Sequence, residues 1–319
     1  MTDKPRLLVT VPVDHLPEIR TLLEAVGPVT YLRYPPREET RAALADAEGL
    51  FCNVRVRLDE DLLSSAPRLR VIGTPSIGTD HIDLDYCRRR GIAVLSLSGA
   101  HDALRSVSTT AEHAFGLMLA IVKNMPWSFN SVVAGEWRGA DFCGRDLQGR
   151  TLGIVGCGLI GSRLARYGLA FEMRVLAYDP FVTVRDPVIE QVDLPALLAR
   201  AEIISLHAPL TEATRGMVDR RWFDQMNGTY LINTSRGCVI HEADLLAALE
   251  SARVKAAGLD VLCDETEGNM GRHPMVEYAR SHSNVMITPH CAGASVDGQR
   301  KTFGYSAGRL AAFFSEGRR

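Results

Sequence analysis

The stretch Thr151–Asp179, TLGIVGCGLIGSRLARYGLAFEMRVLAYD, decides how this 319-residue chain is read. Thr151–Val155 is a short apolar, branched run, the pattern of a strand buried in a parallel sheet. Gly156, Gly158 and Gly161 follow as G-x-G-x-x-G. From Leu159 the apolar spacing turns helical, through Ile160, Leu164, Tyr167 and Gly168. A second strand, Met173–Tyr178, ends in Asp179.

Each glycine has a physical role. Gly156 permits the tight turn from strand to helix, Gly158 lets backbone approach a pyrophosphate, and Gly161 lets the helix pack onto the strand. The helix N-terminus offers free N–H groups and the positive end of its dipole to phosphates. Asp179 stands 18 residues beyond Gly161 (179 − 161), placed to accept from both ribose hydroxyls of NAD and to repel the 2′-phosphate of NADP. A glycine triplet alone marks many ordinary turns. Strand, triplet, helix, strand and acid in this order specify a dinucleotide site with NAD as its cofactor.

Working outward, the length suffices for two domains, and 46% hydrophobic with 23% charged residues is ordinary globular composition. A formal net charge of −2 gives no bulk attraction to nucleic acid or to an anionic membrane. Seven cysteines, at 52, 87, 143, 157, 238, 263 and 291, form no C-x-x-C pair, so reduced thiols in a cytoplasmic protein are expected. MTDKPRLLVTVPVD lacks the apolar core of a signal peptide, and no apolar run approaches the ~18 residues of a membrane span.

Before the glycine motif, strands are expected at Arg6–Val11, Val29–Tyr34, Gly49–Cys52, Arg70–Gly73 and Ala93–Leu97. Helices at Leu16–Ala25, Glu38–Ala47, Leu62–Leu63 and Leu84–Arg89 alternate with them. This is a separate parallel α/β unit of about 100 residues. Two of its loops follow strands and can hold an anion: NVRVR, with Asn53 and Val54, and TPSIGTD, with Ser76, Ile77 and Gly78. STTAEHAFGLMLAIVK, 108–123, is a helix apolar nearly all round and therefore buried. WSFNSVVAGEWRGADF after it reads as an arm or loop. The last segment, Gln299–Phe314, reads as a helix packing back on the N-terminal unit.

After Asp179, strands at Ile203–His207, Tyr230–Asn233, Ala256–Val261 and Val285–Thr288 lead into His207-Ala208-Pro209, Thr234-Ser235-Arg236-Gly237, Asp260 and Pro289-His290. In a doubly wound sheet such strand ends line the crevice that holds the dinucleotide. Arg236 can grip a carboxylate with two parallel bonds. A histidine can act as general acid or base, and spacing alone does not rank His290 over His207. Glu265 can orient and charge His290. Asp260 can bind the nicotinamide end of the cofactor or cap the loop after its strand. A zinc site at Cys291 or Cys263 lacks the spacing of metal motifs, and no metal is expected.

VGCGLIG with AYDP, LHAPLTEATRGMV, LINTSRG with AAGLDVLCDE, and NVMITPHCAGAS, joined by GTDHID and TTAEHAFGLML, closely resemble the D-isomer-specific 2-hydroxyacid dehydrogenases, which include D-3-phosphoglycerate dehydrogenase. The resemblance runs from about residue 73 to 295. It implies that Arg236 binds substrate carboxylate and carbonyl and that Glu265 and His290 form the acid–base pair. It implies NAD contacts from Leu159, Ile160, Asp179, His207, Ala208, Pro209, Thr214, Thr234, Ser235, Asp260 and Gly293, with Thr110 near the phosphates or nicotinamide. The implied fold is two doubly wound parallel-sheet domains. A Rossmann-type cofactor domain, 104–288, is inserted in a flavodoxin-like substrate domain, 1–103 plus 289–319. A homodimer through residues 108–142 is implied as well.

The implied reaction moves a hydride between NAD and C2 of a D-2-hydroxy or 2-keto acid. The alternative is an NAD(H)-sensing, corepressor-like protein with little turnover. Three departures touch substrate choice: Thr266 follows Glu265 where proline is usual, Ser76 replaces the first glycine of a G-x-G-x-D loop, and Asn53-Val54 stand where Arg-Ser is common. Relatives that oxidise phosphite carry lysine at the place of Ile77, which argues against that activity. Arg55, Arg57, His101 and Arg105 suggest a second anionic group on the substrate.

Overall fold

The computed structural model describes residues 4–137, 142–265 and 268–316. Residues 138–141 of the expected arm, and Thr266, lie outside the described residues. The chain divides into two compact units, 1–107 with 294–319, and 108–293. The expected boundaries at 103/104 and 288/289 therefore move a few residues along the chain. The second moves because residues 290–292 hydrogen-bond back to Asp260.

The first unit alternates β1 (Leu7–Val9), α1 (Pro17–Val26), β2 (Val29–Tyr31), α2 (Arg37–Leu44), β3 (Gly49–Phe51), α3 (Glu60–Leu63), β4 (Val71–Gly73), α4 (Leu84–Arg90), β5 (Ala93–Leu95) and α5 (His101–Leu104). Its five strands are all parallel in the order β2-β1-β3-β4-β5, the flavodoxin-like winding. Alternation along β1 builds two cores. Leu8 faces Leu50, Ile72, Leu62 and Tyr86, whereas Leu7 and Val9 face Ile19, Leu23 and the C-terminal helix Val296–Glu316. That helix packs on α1 and β4, as its apolar spacing implied. Gly73 makes room for it, since a Cβ there would stand 2.9 Å from Leu310 Cδ1.

The second unit comprises α6 (Thr109–Val122), α7 (Met125–Val133), β6 (Thr151–Val155), α8 (Leu159–Ala170), β7 (Arg174–Tyr178), β8 (Glu190–Gln191), α9 (Leu194–Arg200), β9 (Ile203–Leu206), α10 (Arg220–Phe223), β10 (Thr229–Asn233), α11 (Glu242–Glu250), β11 (Val254–Leu259), α12 (Pro274–Ser281) and β12 (Val285–Ile287). Seven parallel strands run β12-β11-β10-β9-β6-β7-β8, the Rossmann winding with one strand added. The order reverses between β6 and β9, so the glycine turn after β6 and His207 after β9 flank one switch point.

Ala114, Leu117, Met118, Ile121 and Val122 bury one face of α6 in the core of its own unit, against β10 and β11. The expected arm is corrected in part. Met125–Val133 is helical, with Pro126 in its first turn, and buries no residue. Its large apolar residues Met125, Phe129, Val132 and Val133 share one face, but that face is exposed rather than part of a core.

Leu310 is fully buried against Gly73 and Phe51. Leu310→Ala is expected to destabilise the first unit by about 2–5 kcal/mol, read as a lower midpoint in chemical denaturation.

Candidate active site

Gly156 takes φ +91°, and a Cβ on it would stand 2.9 Å from the His207 carbonyl carbon. Only glycine fits this turn without strain. A Cβ on Gly161 would lie 2.1 Å from the Gly156 oxygen, so its absence seats α8 on β6. At Gly158 nothing lies within 4 Å, and no side chain caps the N-terminus of α8 there. Space and unspent N–H groups coincide where a pyrophosphate needs both. Thr110 occupies the first turn of α6, and the backbone around Gly293 is also open.

Asp179 follows β7 and ties the neighbouring loops. Its Oδ2 accepts from Cys157 N at 2.8 Å, and Oδ1 accepts from Phe181 N at 2.9 Å and Val182 N at 3.0 Å. The carboxylate is thereby fixed in direction beside the glycine turn. Beyond β9, Thr214 Oγ1 donates to Pro209 O at 2.6 Å and closes the loop that begins at His207-Ala208. Thr234 Oγ1, after β10, is buried with no hydrogen-bond partner among the described residues. A buried hydroxyl left over at the carboxyl end of a strand fits a missing ligand atom.

Of the two histidines, the structure separates what spacing could not. His207 Nε2 is sealed and unpartnered among the described residues, and burial pushes its pKa down to about 4. A ring that stays neutral above that pH gives no proton near neutrality. His290 instead turns Nδ1 to Glu265 Oε1, and both side chains remain partly exposed. Nε2 is then the ring nitrogen left for a substrate. Glu265 Oε2 also accepts from Leu262 N at 3.2 Å, which orients the carboxylate.

The loop carrying His290 is built around Asp260, whose carboxylate is 1% exposed. Oδ1 accepts from Thr288 Oγ1 at 2.5 Å and Cys291 N at 2.9 Å, and Oδ2 from Ala292 N at 2.8 Å. Its backbone oxygen accepts from His290 N at 2.8 Å. His290 itself sits at φ +51°, a conformation an L residue keeps only when its surroundings impose it. Of the two roles expected for Asp260, the hydrogen bonds seen are those of the capping one. His113 of α6, missed in the sequence, completes the brace, with Nε2 2.9 Å from Thr288 Oγ1 and 3.4 Å from Asp260 Oδ1. Its helical position carried no signal of this.

Arg236 is positioned by Asn233, which is fully buried. Asn233 Oδ1 accepts from Ser235 N at 3.0 Å and Oγ at 2.8 Å, while its Nδ2 donates to Arg236 O at 3.0 Å. The next residue brings this loop to Glu265's. A Cβ on Gly237 would stand 1.9 Å from the Leu262 carbonyl carbon. Cys238 and Cys263 then join the two loops in a disulfide. The expectation of reduced thiols is corrected here. The pair lies 25 residues apart in sequence but leaves adjacent strands, so spacing could not reveal it. Cys263 is thereby also spent as a zinc ligand.

The family model described as D-isomer specific 2-hydroxyacid dehydrogenase, NAD binding domain, matches residues 115–292. The chain is 34% identical over 266 residues to hydroxypyruvate reductase from Thermotoga maritima, covering 83% of this chain and 84% of that protein. The chain belongs to the D-isomer-specific 2-hydroxyacid dehydrogenase family. It is also 34% identical over 267 residues to D-3-phosphoglycerate dehydrogenase from Archaeoglobus fulgidus, covering 82% of this chain but 49% of that protein. The chain thus spans about half the length of the phosphoglycerate dehydrogenases it matches. The structure of D-lactate dehydrogenase from Aquifex aeolicus, complexed with NAD and lactic acid, superposes with a TM-score of 0.80 at 32% identity, covering 98% of this chain and 96% of that one. NAD is the cofactor of this family's second unit, and the open glycine turn and fixed Asp179 fit it.

His207 gives a pH test of the site. Its pKa falls from 6.5 to about 4 on folding, so the unfolded chain binds the extra proton between those values. Its contribution to stability is complete above 6.5 and is lost as pH drops towards 4. His207→Gln should flatten that part of the stability–pH curve, by at most about 3 kcal/mol, in denaturant titrations from pH 7 to 4.

Proposed function

We propose that this protein interconverts a 2-keto acid and its D-2-hydroxy acid, with NAD(H) as the redox partner. The observation that carries the reading is the His290–Glu265 pair held beside the loop of Arg236. Arg236 binds the substrate carboxylate in two parallel bonds and polarises the carbonyl. When bound, the reduced nicotinamide supplies the hydride that reaches C2. His290, protonated and backed by Glu265, gives its Nε2 proton to the developing alkoxide oxygen. In oxidation the neutral ring takes that proton from the hydroxyl. Relatives named dehydrogenase or reductase speak against a sensing protein with little turnover.

A second anion on the substrate is the finer part of the proposal. The loops after β3 and β4 carry Asn53, Val54, Ser76, Ile77 and Gly78 at strand carboxyl ends, where ligands of such sheets collect. Arg55 stacks 4.1 Å from the Tyr34 ring centroid, which holds a cation on that rim. We also propose cytoplasmic action. Among the described residues, no helix is long and apolar enough to cross a membrane.

A panel of 2-keto acids with NADH tests the activity. Turnover of at least one is expected, with His290→Gln losing about 10²–10⁴-fold in kcat. Arg236→Gln should raise KM for the keto acid. No turnover on any keto acid, with NADH binding intact, contradicts the proposal.

The homodimer proposal rests on the arm. Phe129, Val133 and Trp137 are 67, 71 and 75% exposed, an apolar face that a second copy can cover. Light scattering should find a dimer that Phe129→Glu with Val133→Glu converts to a monomer. A monomeric native protein would refute it.

A further inference from the structure

We propose that the Cys238–Cys263 disulfide is a thiol-exchange site that sets turnover by clasping the Arg236 loop to the Glu265 loop. The inference rests on the dehydrogenase reading. Cys238 lies two residues after Arg236 and Cys263 two before Glu265. The clasp therefore spans the shortest covalent path between the carboxylate-binding group and the carboxylate behind the acid–base ring. The Cα atoms of the pair are 4.4 Å apart, and the backbones already touch at Gly237 and Leu262.

Both bonded cysteines are half-buried, so a reductant can approach them. Cys52, by contrast, is sealed, and burial pushes its thiol up to about 12. Opening the bond leaves each loop anchored. Cys263 N donates to Glu242 Oε1 at 2.8 Å, and His273 Nε2 stands 3.0 Å from Cys263 O. Gly216 N donates to Cys238 O at 2.8 Å. Large cores bury both faces of the sheet, so the unit has support for its fold besides this bond. What the bond adds is a fixed spacing between two loops that already fold. Disulfides that form in reducing compartments are usually transient ones that sense or regulate.

The exchange balances with a dithiol as reductant. One thiolate of the dithiol attacks the sulfur of Cys238 or Cys263, forming a mixed disulfide and releasing the other cysteine as thiolate. The second thiol of the reductant then displaces the first cysteine. Two electrons and two protons end on the cysteine pair, and the reductant leaves as its own disulfide. Spacing errors of about 1 Å between reacting groups cost up to about 100-fold in rate. Reduction is expected to lower kcat/KM for the keto acid about 10-fold, within that range. NADH affinity should fall less than kcat/KM, since the glycine turn and Asp179 lie on the β6–β7 side of the sheet and only part of the expected NAD contacts share the clasped loops.

The test uses the full chain with dithiothreitol as the probe. Peptide-resolved alkylation counts the thiols, fluorescence titration gives NADH affinity, and steady-state rates give kcat/KM. The proposal predicts release of Cys238 and Cys263 under native conditions, with a reversible loss of kcat/KM larger than any change in NADH affinity. Cys238→Ser with Cys263→Ser should hold the low rate and ignore the reductant. It is overturned if the pair resists the dithiol in the folded protein, or opens with kcat/KM unchanged. Loss of NADH binding and of the folded circular dichroism together with the bond would also overturn it, making the bond a staple. Release of both thiols with no turnover in either state would instead overturn the dehydrogenase reading, and with it the rate-setting role.

Discussion

The buried carboxylate of Asp260 is the constraint on which the site depends. A charge taken out of water is costly unless hydrogen bonds replace its hydration. Asp260 meets that demand with two backbone N–H groups and a hydroxyl, all from residues 288–292. The need to satisfy one acid thus folds the loop after β12 back over the end of β11. His290 is held at positive φ by that arrangement, and its ring is delivered to Glu265.

A second constraint acts between neighbouring strands. β10 and β11 are paired in parallel, so their exits are adjacent whatever residues follow. Gly237 lets those exits touch, and the Cys238–Cys263 bond joins them. Arg236 and Glu265 are therefore positioned by sheet pairing first and by local chemistry second. Three successive strand ends contribute a cation, a carboxylate and an imidazole. The separations along the chain are large, but the separations across the sheet are one strand each.

Much of this was legible in the sequence because it rests on short-range rules. The glycine turn at 156–161, the helix expected at 108–123 and the strand expected to end before Asp179 each follow from local sterics or periodicity, and the structure has a helix at Thr109–Val122 and a strand at Arg174–Tyr178. The identities of Arg236, Glu265 and His290 came from resemblance, since spacing alone left His207 as an equal candidate. Burial distinguishes the two rings, sealing His207 Nε2 and leaving His290 partly exposed, and burial is a property of the folded sheet. The same holds for the brace by His113, the disulfide and the capping role of Asp260, all of which join residues distant in the chain. The helix at Met125–Val133 was missed for a different reason: at nine residues it is too short for its one apolar face to stand out, and it packs that face into no core.

The most direct measurement of the central claim is a crystal structure with NADH and oxamate, a 2-keto acid isostere. The oxamate carboxylate is expected on the Arg236 guanidinium in two bonds, with the adjoining carbonyl oxygen within hydrogen-bond reach of His290 Nε2. Oxamate bound away from Arg236, or His290 turned from Glu265 with Asp260 released from residues 291 and 292, would contradict it.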